Sequence, residues 1–100
     1  MYGQMIEAGV PPKRLDELGE VIQRRLVPAL REQAGFSGAL SLVDHETGRA
    51  VLLVLWESDD EAARPLADRG GTLIQALAAI AELSSLDPHA VTVWEVNARV

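Results

Sequence analysis

One segment limits the possible fold more than any other: the run Ala50-Val51-Leu52-Leu53-Val54-Leu55-Trp56. It has the length and β-branched content of a strand, but it lacks the apolar/polar alternation of a strand with one wet face. If Leu52, Val54 and Trp56 point to one side of a sheet, then Val51, Leu53 and Leu55 point to the other. A strand of this kind needs an apolar cover on both sides.

Composition narrows the class of protein. The chain has 100 residues, of which 48% are hydrophobic and 24% charged, so we expect a single folded domain over residues 1–100. Its net charge of −6 disfavours binding to nucleic acid or to anionic membrane surfaces. It has no cysteine, which excludes disulfides and thiolate metal sites. Neither a secretory leader nor an apolar stretch of roughly 20 residues is present, so we expect a cytoplasmic protein without a membrane span.

The first half of the chain predicts a strand and then a helix. Residues Tyr2 to Ala8 are typical of a strand, and Pro11-Pro12 is well suited to opening the helix that follows. Apolar residues then recur at spacings of three and four, as in an amphipathic helix: Leu15, Leu18, Ile22, Leu26 and Leu30. Pro28 lies inside this pattern and predicts a kink, because it cannot donate the helical hydrogen bond.

The second half predicts a hairpin, two helices and a last strand. The hairpin joins strands at Gly38 to Val43 and Arg49 to Glu57 through the polar turn Asp44 to Gly48. Ser58 or Asp59 is predicted to cap a helix that runs to Asp68. After the break at Gly70-Gly71, a second helix is predicted, with a cap at Thr72 and apolar positions from Leu73 to Leu83. Asp87-Pro88 is predicted to close this element and His89 to lie in a loop. The last predicted strand covers Val91 to Val96.

The resulting order, β-α-β-β-α-β, is that of a ferredoxin-like α+β fold with a four-stranded antiparallel sheet. In that plan both helices cover the same face of the sheet. The other face would stay wet, although burying each of its large apolar side chains is worth about 1.5–3 kcal/mol. We therefore expect a homodimer in which two sheets pack through these faces.

Three segments carry a resemblance to a known family. Val27 to Gly38, with its helix-ending Gly35-Phe36, and the strand ending Leu55-Trp56-Glu57-Ser58 resemble the antibiotic biosynthesis monooxygenase-like family of dimeric α/β barrels. The closing Val93-Trp94-Glu95-Val96 resembles that family's last strand. The resemblance implies a homodimer with back-to-back sheets and a cavity between sheet and helices. In some members that cavity oxidises polycyclic quinols with molecular oxygen and no metal or flavin.

The haem-cleaving branch of the family is disfavoured. Its characteristic asparagine on the first strand has no counterpart in the segment Tyr2 to Glu7, where Gln4 is a loose substitute at best. Neither His45 nor His89 lies on the helix where the haem ligand is expected. No metal site is predicted, since two isolated histidines lack carboxylates at ligand spacing.

Six residues are candidates for contact with a ligand, and each also has a purely structural interpretation. Trp56 and Trp94 could wall a pocket for a flat aromatic molecule, or they could serve as core or interface residues. Glu95, if it faced an apolar pocket, would have a raised pKa and could act as a base. Arg49 could contact a ligand, or it could pair with a carboxylate at the margin of the sheet. Tyr2 and Gln4, which share a strand face, could form hydrogen bonds to a ligand or pack at the edge of the sheet.

The other polar residues give weaker indications of a functional site. Asp44 and His45 could form a carboxylate-oriented base, but their place in a turn favours a solvated hairpin tip. The serines lack any nucleophile-elbow pattern, and Gly70-Gly71 lacks the spacing of a phosphate loop. The sequence therefore supports two functions. One is a cofactor-independent monooxygenase-like protein that binds or oxidises a flat aromatic or quinol-type molecule, and the other is a non-catalytic binding or dimerisation module.

Overall fold

Four strands pair into one antiparallel sheet with the order β2-β3-β1-β4. The computed structural model describes residues 1–99, without the side chains of residues 86–90. The strands are β1 (Tyr2–Gly9), β2 (Phe36–Asp44), β3 (Arg49–Trp56) and β4 (Ser85–Glu95). The apolar run forms β3, which lies inside the sheet between β2 and β1. The predicted ferredoxin-like α+β fold is confirmed.

The helices are shorter and more broken than their sequence pattern suggests. They are α1 (Leu15–Val21), a π-helical segment (Ile22–Leu26), α2 (Val27–Arg31), α3 (Asp59–Ala63) and α4 (Gly71–Ala81), with 3-10 turns at Pro12–Arg14 and Leu66–Asp68. Within the described residues, none of these helices combines the length and the apolar content needed to cross a bilayer.

Where the sequence predicts a kink at Pro28, the structure has a π-helical turn over the preceding residues Ile22–Leu26. The backbone N–H of Val27 donates to the carbonyl of Ile22, five residues earlier. Pro28 has no N–H to give to the carbonyl of Arg24, so a normal α-helical ladder could not be completed at this point. The wider turn absorbs the missing bond, and the chain returns to α-helix in α2.

The side chains of β3 point alternately to the two sides of the sheet, and these two sides differ in burial. Val54 and Trp56 face the helices and are fully buried, where they join Leu26, Leu30 and Leu73 in the core. On the opposite side, Val51, Leu53 and Leu55 remain only partly covered by their own neighbours. We call this second side the open face, and its large apolar side chains are Met5, Leu40, Leu42, Val51, Leu53, Leu55 and Trp94.

The prediction of one helix from Ser58 to Asp68 is wrong in its second half. Ser58 does cap α3, accepting a hydrogen bond from the backbone N–H of Glu61 at 3.2 Å. The helix ends at Ala63, however, and Arg64 has an extended ψ of 124°. Pro65 disfavours the helical conformation of the residue before it, so the chain leaves the helix there.

The predicted cap at Thr72 is also wrong. The residue that immediately precedes α4, in the N-cap position, is Gly70, which has a φ of 116° and gives no side-chain cap. Glycine takes this conformation without steric cost, so it can turn the chain into the helix.

The last strand begins earlier than predicted. β4 starts at Ser85. The predictions that the preceding element ends at Asp87-Pro88 and that His89 lies in a loop are therefore wrong, because these positions lie within the strand. Ile6 pairs with Val91 and Ala8 pairs with Leu86, which leaves residues 87–90 as a bulge. A bulge accommodates a proline because its backbone does not take part in the ladder. The side chain of His89 lies outside the described residues.

The turn between β2 and β3 is held against the segment that follows β1. Gly48 has a φ of +75°, and its carbonyl accepts a hydrogen bond from the N–H of Val10 at 2.7 Å. A Cβ at Gly48 would lie 2.3 Å from the carbonyl oxygen of Val10. Only glycine satisfies both the conformation and this close approach.

We predict that Gly48→Ala lowers the free energy of unfolding by about 2 kcal/mol or more, since the left-handed conformation alone costs about 1–2 kcal/mol. The matched control is Gly19→Ala in α1, where a Cβ meets no atom within 4 Å. That substitution should stabilise the protein by about 0.5–1 kcal/mol. Urea unfolding followed by circular dichroism measures both, and equal effects would contradict this account of the turn.

Candidate functional site

An apolar cavity lies between the sheet and the helices. Its volume is about 50 Å³. Strands β1, β2 and β3 form its floor, and α1, the π-helical segment and the end of α4 form its roof. The lining residues are Ile6, Ala8, Leu18, Ile22, Ser41, Ala50, Val51, Leu52, Leu77, Ile80 and Ser84.

The cavity has a mouth at the edge strand β2. Ser41 pairs with Leu52 and so stands on the helix-facing side of the sheet, yet it is exposed to solvent. Val43, two residues further along the same side, is exposed as well. The helices therefore do not cover this part of β2, and a molecule could reach the cavity along it. We call the exposed helix-facing side of Ser41 and Val43 the mouth.

Among the residues whose side chains the structure describes, two polar ones line the cavity, Ser41 and Ser84. The hydroxyl of Ser84 donates to the carbonyl of Ile80 at 2.8 Å, whereas the hydroxyl of Ser41 lies at the mouth. No titratable side chain occurs in this described part of the lining. In the described part of the chain, no three histidine, aspartate or glutamate residues are grouped so that they could hold a metal ion. The described lining offers a ligand an apolar surface and includes no acid or base for proton transfer.

Gln4 and Trp56, two of the six candidate residues, are joined to each other. The indole Nε1 of Trp56 donates to Oε1 of Gln4 at 3.1 Å, and Nε2 of Gln4 donates to the carbonyl of Arg64 at 3.1 Å. Gln4 is 1% exposed and Trp56 is fully buried. Tyr2 pairs with Trp56 across the strands and is partly buried on the same side. The Gln4 and Trp56 side chains hold α3 and the following turn onto the end of the sheet.

Arg69, which the sequence analysis did not select, completes this cluster. Its guanidinium carbon lies 3.8 Å from the centre of the Trp56 ring, and its Nη1 donates to Oε2 of Glu61 at 2.9 Å. Nη2 donates to the carbonyls of Glu61 and Arg64. Sequence spacing gave no signal for this pair, because residues 61 and 69 are too far apart to meet on one helix. The ring of Phe36 packs edge-on against Trp56 with centroids 6.0 Å apart.

The other three candidate residues lie elsewhere. Trp94 is 56% exposed on the open face, and its Nε1 donates to Thr92 Oγ1 at 2.8 Å. Arg49 pairs with Glu7 at 3.3 Å near the margin of the same face. Glu95 is opposite Tyr2 and exposed. The described cavity lining includes none of the six, so their contact with a ligand stays a prediction.

The turn residues Asp44 and His45 are both exposed. The carboxylate of Asp44 accepts a hydrogen bond from the backbone N–H of Glu46 at 2.9 Å. That bond, together with one from Thr47, holds the pKa of Asp44 below its ordinary value. These contacts fit a solvated hairpin tip, in which the carboxylate is engaged by its own turn.

Solved structures with the same fold are oxygenases and related proteins. SnoaB, a cofactor-independent oxygenase from Streptomyces nogalater, aligns in mutant form with a TM-score of 0.73 and 17% identity, over 99% of this chain and 95% of its own. The ActVA-Orf6 monooxygenase of Streptomyces coelicolor, in complex with nanaomycin D, aligns with a TM-score of 0.73 and 18% identity, over 99% and 90%. Rv0793 from Mycobacterium tuberculosis aligns with a TM-score of 0.66 and 18% identity, over 99% and 98%.

These alignments confirm the resemblance to antibiotic biosynthesis monooxygenase-like proteins at the level of the fold. No family model and no curated protein matches the chain. Because one fold hosts many activities, what this chain does has to be argued from its cavity and surfaces.

We predict that Glu61→Gln lowers the free energy of unfolding by about 3 kcal/mol, because it leaves the buried charge of Arg69 without its carboxylate. The Arg69 side chain is 1% exposed and that of Glu61 is 30% exposed. Glu46→Gln at the exposed hairpin tip is the matched control and should change stability by less than about 0.5 kcal/mol. Chemical denaturation measures both variants. A loss for Glu61→Gln no larger than the control's would show that the ion pair does not hold α3 in place.

Proposed function

We propose that this protein is a cofactor-independent monooxygenase-like protein that binds and oxidises a flat aromatic, quinol-type molecule at the apolar cavity. The observation that carries the proposal is an apolar cavity between the sheet and the helices, whose described lining residues include no titratable group. Its support is the fold, which is shared with a cofactor-independent oxygenase and with a monooxygenase bound to nanaomycin D.

Such a cavity suits a substrate that supplies the electrons itself. In the oxidation of an anthrone-type methylene, the substrate loses two hydrogens and gains one oxygen atom as a carbonyl, and the second oxygen atom leaves as water. The four electrons that reduce dioxygen all come from the substrate. The protein then contributes orientation and the exclusion of water.

The mouth is where we place the aromatic ring. A volume of about 50 Å³ is too small to enclose a fused ring system, since pockets for such ligands measure about 300–1,000 Å³. At the mouth, a ring could lie against β2 with one edge toward the cavity. The hydroxyl of Ser41 can donate to or accept from a quinol oxygen there. Contact of this ring with the six candidates predicted from the sequence, Tyr2, Gln4, Arg49, Trp56, Trp94 and Glu95, would need a second binding position.

We predict that the protein accelerates oxygen uptake by anthrone-type or quinol substrates, and that Ser41→Tyr lowers this rate at least ten-fold by filling the mouth. Glu46→Tyr adds the same ring at the exposed turn and should leave the rate unchanged. An oxygen electrode measures the rate, with circular dichroism as the check on folding. The absence of a protein-dependent rate across a broad substrate panel would contradict the proposal that the protein is an enzyme. Equal rates for the two variants would show that the substrate does not bind beside Ser41.

We also propose that the open face is covered by a second copy of this chain. Leu40, Leu42 and Trp94 are each more than half exposed on it, and they lie beside Leu53 and Leu55. A twofold axis lets one apolar patch cover an identical one, and the ionic pair of Arg49 and Glu7 lies at the margin of the patch. The family resemblance favours the same occupant.

We predict that the protein sediments as a dimer at micromolar concentration and that Leu42→Glu raises the dimer dissociation constant at least 100-fold, because each dimer would contain two such charges. Ile74→Glu is the matched control: Leu42 is 55% exposed on the open face, whereas Ile74 is 50% exposed on α4. Analytical ultracentrifugation measures both. A monomeric wild-type protein at that concentration would refute the dimer.

The second candidate function is a non-catalytic binding or dimerisation module. It is favoured by the small volume of the cavity and by the complete burial of Trp56. A stable dimer that shows no protein-dependent oxygen uptake with any quinol would select this function over the first.

A further inference from the structure

The apolar cavity owes its space to a pair of alanines. Ala8 on β1 and Ala50 on β3 lie opposite each other on the helix-facing side of the sheet. In the adjacent row of the same side, the opposed residues are Ile6 and Leu52. A single methyl group extends less far from a sheet than a branched aliphatic side chain does, so the sheet is hollow at the alanine row. We call Ala8 and Ala50 the alanine pair.

The aliphatic walls around the alanine pair are incompletely covered. Four of them pack against the core and still remain partly exposed: Ile6, Leu52, Leu77 and Ile80. Removing such apolar surface from water is favourable in proportion to the area covered. Because the cavity opens to solvent at the mouth, an apolar group can enter it and cover these walls.

The described lining favours hydrocarbon over a polar guest. Among the residues whose side chains the structure describes, Ser41 stands at the mouth, and the hydroxyl of Ser84 already donates to the carbonyl of Ile80 at 2.8 Å. Water beside the aliphatic walls therefore has few hydrogen-bond partners, and replacing that water by hydrocarbon breaks few hydrogen bonds. The group that suits this cavity is an uncharged aliphatic one.

The volume of the cavity gives the scale of that group. A water molecule needs about 10–15 Å³, so a cavity of about 50 Å³ admits three or four waters. By the same measure it admits an unbranched alkyl chain of about three or four carbon atoms. The aromatic ring to which such a chain is attached stays outside, at the mouth.

We infer that the cavity receives a short alkyl substituent of the aromatic molecule whose ring lies at the mouth. Ser41 is opposite Leu52 across the strands, so a chain beside the ring oxygen would run from the Ser41 hydroxyl past Leu52 to the alanine pair. Uptake of an alkyl group rests on the cavity alone, whereas the oxidation of the molecule that carries it rests on the proposed function. The substrate class is then that of alkyl-substituted aromatic molecules of the quinol or anthrone type.

Two substitutions change the length of chain that the cavity can hold. Ala50 is buried and lines the cavity, so Ala50→Val adds two methyl groups to the alanine pair while keeping a residue that suits a strand. Leu77→Ala is the opposite change and enlarges the cavity from α4. Ala39→Val is the matched control, because Ala39 stands on the same side of the neighbouring strand and is not among the described lining residues.

The experiment measures the binding of ortho-alkylphenols, from methyl to hexyl, by methyl NMR. For the wild type and for Ala39→Val, we expect each added methylene to tighten binding about two- to four-fold up to propyl or butyl and to have little effect beyond that length. The gain should stop at a shorter chain in Ala50→Val and continue to a longer chain in Leu77→Ala. The largest shifts should occur at the methyl groups of Leu52, Leu77 and Ile80.

Three outcomes of the binding experiment would overturn the inference. One is a gain that continues through hexyl in every variant, which indicates nonspecific partition. Another is equal chain-length profiles for Ala50→Val and Ala39→Val, both checked for folding by circular dichroism. The third is a set of shifts confined to Leu40 and Leu42, which would place the phenols on the open face.

Oxygen uptake separates the alkyl site from the reaction. With anthrone-type substrates that carry chains from methyl to butyl beside the ring oxygen, kcat/KM should rise with chain length. Ala50→Val should lower the ratio of kcat/KM for the propyl substrate over the unsubstituted one about five-fold or more, whereas Ala39→Val should keep this ratio. Chain-length-dependent binding without protein-dependent oxygen uptake would support the alkyl site and reject the proposed function. Equal kcat/KM for alkylated and unsubstituted substrates would overturn the substrate class and leave the proposed function standing.

Discussion

The structure depends on one constraint: β3 carries large apolar side chains on both of its sides. The helices bury the side formed by Val54 and Trp56, and this burial builds the core. They leave the other side, with Leu53 and Leu55, partly exposed to solvent. A single chain of this size has no second layer to offer, since both covering helices follow the handedness of their strand connections to the same face. The proposed pairing of two sheets is a direct consequence of this arrangement.

The helix-facing side of the sheet is divided into a polar end and an apolar middle. At the end, the buried side chains of Gln4, Trp56 and Arg69, together with the partly exposed Glu61, form a cluster whose hydrogen bonds and stacking fix α3. Most polar atoms of this cluster are paired, although Nε of Arg69 is buried without a partner, and such a network resists rearrangement. In the middle, aliphatic side chains surround a small void and no hydrogen bond fixes their positions across it.

This division also bears on the chemistry proposed for the cavity. The described walls are apolar and offer a reacting molecule orientation and partial shielding from water. Such a setting suits the proposed substrate, which reacts with dioxygen through its own electrons, whereas hydrolysis and phosphoryl transfer use charged or nucleophilic groups that the described lining does not include. The same walls serve a binding protein equally well, which is why the proposed activity and its non-catalytic alternative share one site.

The sequence by itself determined the element order, the ferredoxin-like class and the two-sided character of β3, because these follow from local periodicity and turn chemistry. It also predicted a cap at Ser58 or Asp59, of which the structure uses Ser58, and a departure from regular α-helix at Pro28 in the form of a kink. Only the tertiary structure decided which polar groups meet: Arg69 reaches Trp56 and Glu61 across a chain reversal, and no local spacing encodes such a contact. The bulge that takes Pro88 into β4 and the mouth at Ser41 likewise arise from strand register and from how far the helices extend over the sheet. These are properties of packing between distant segments, and a one-dimensional pattern does not contain them.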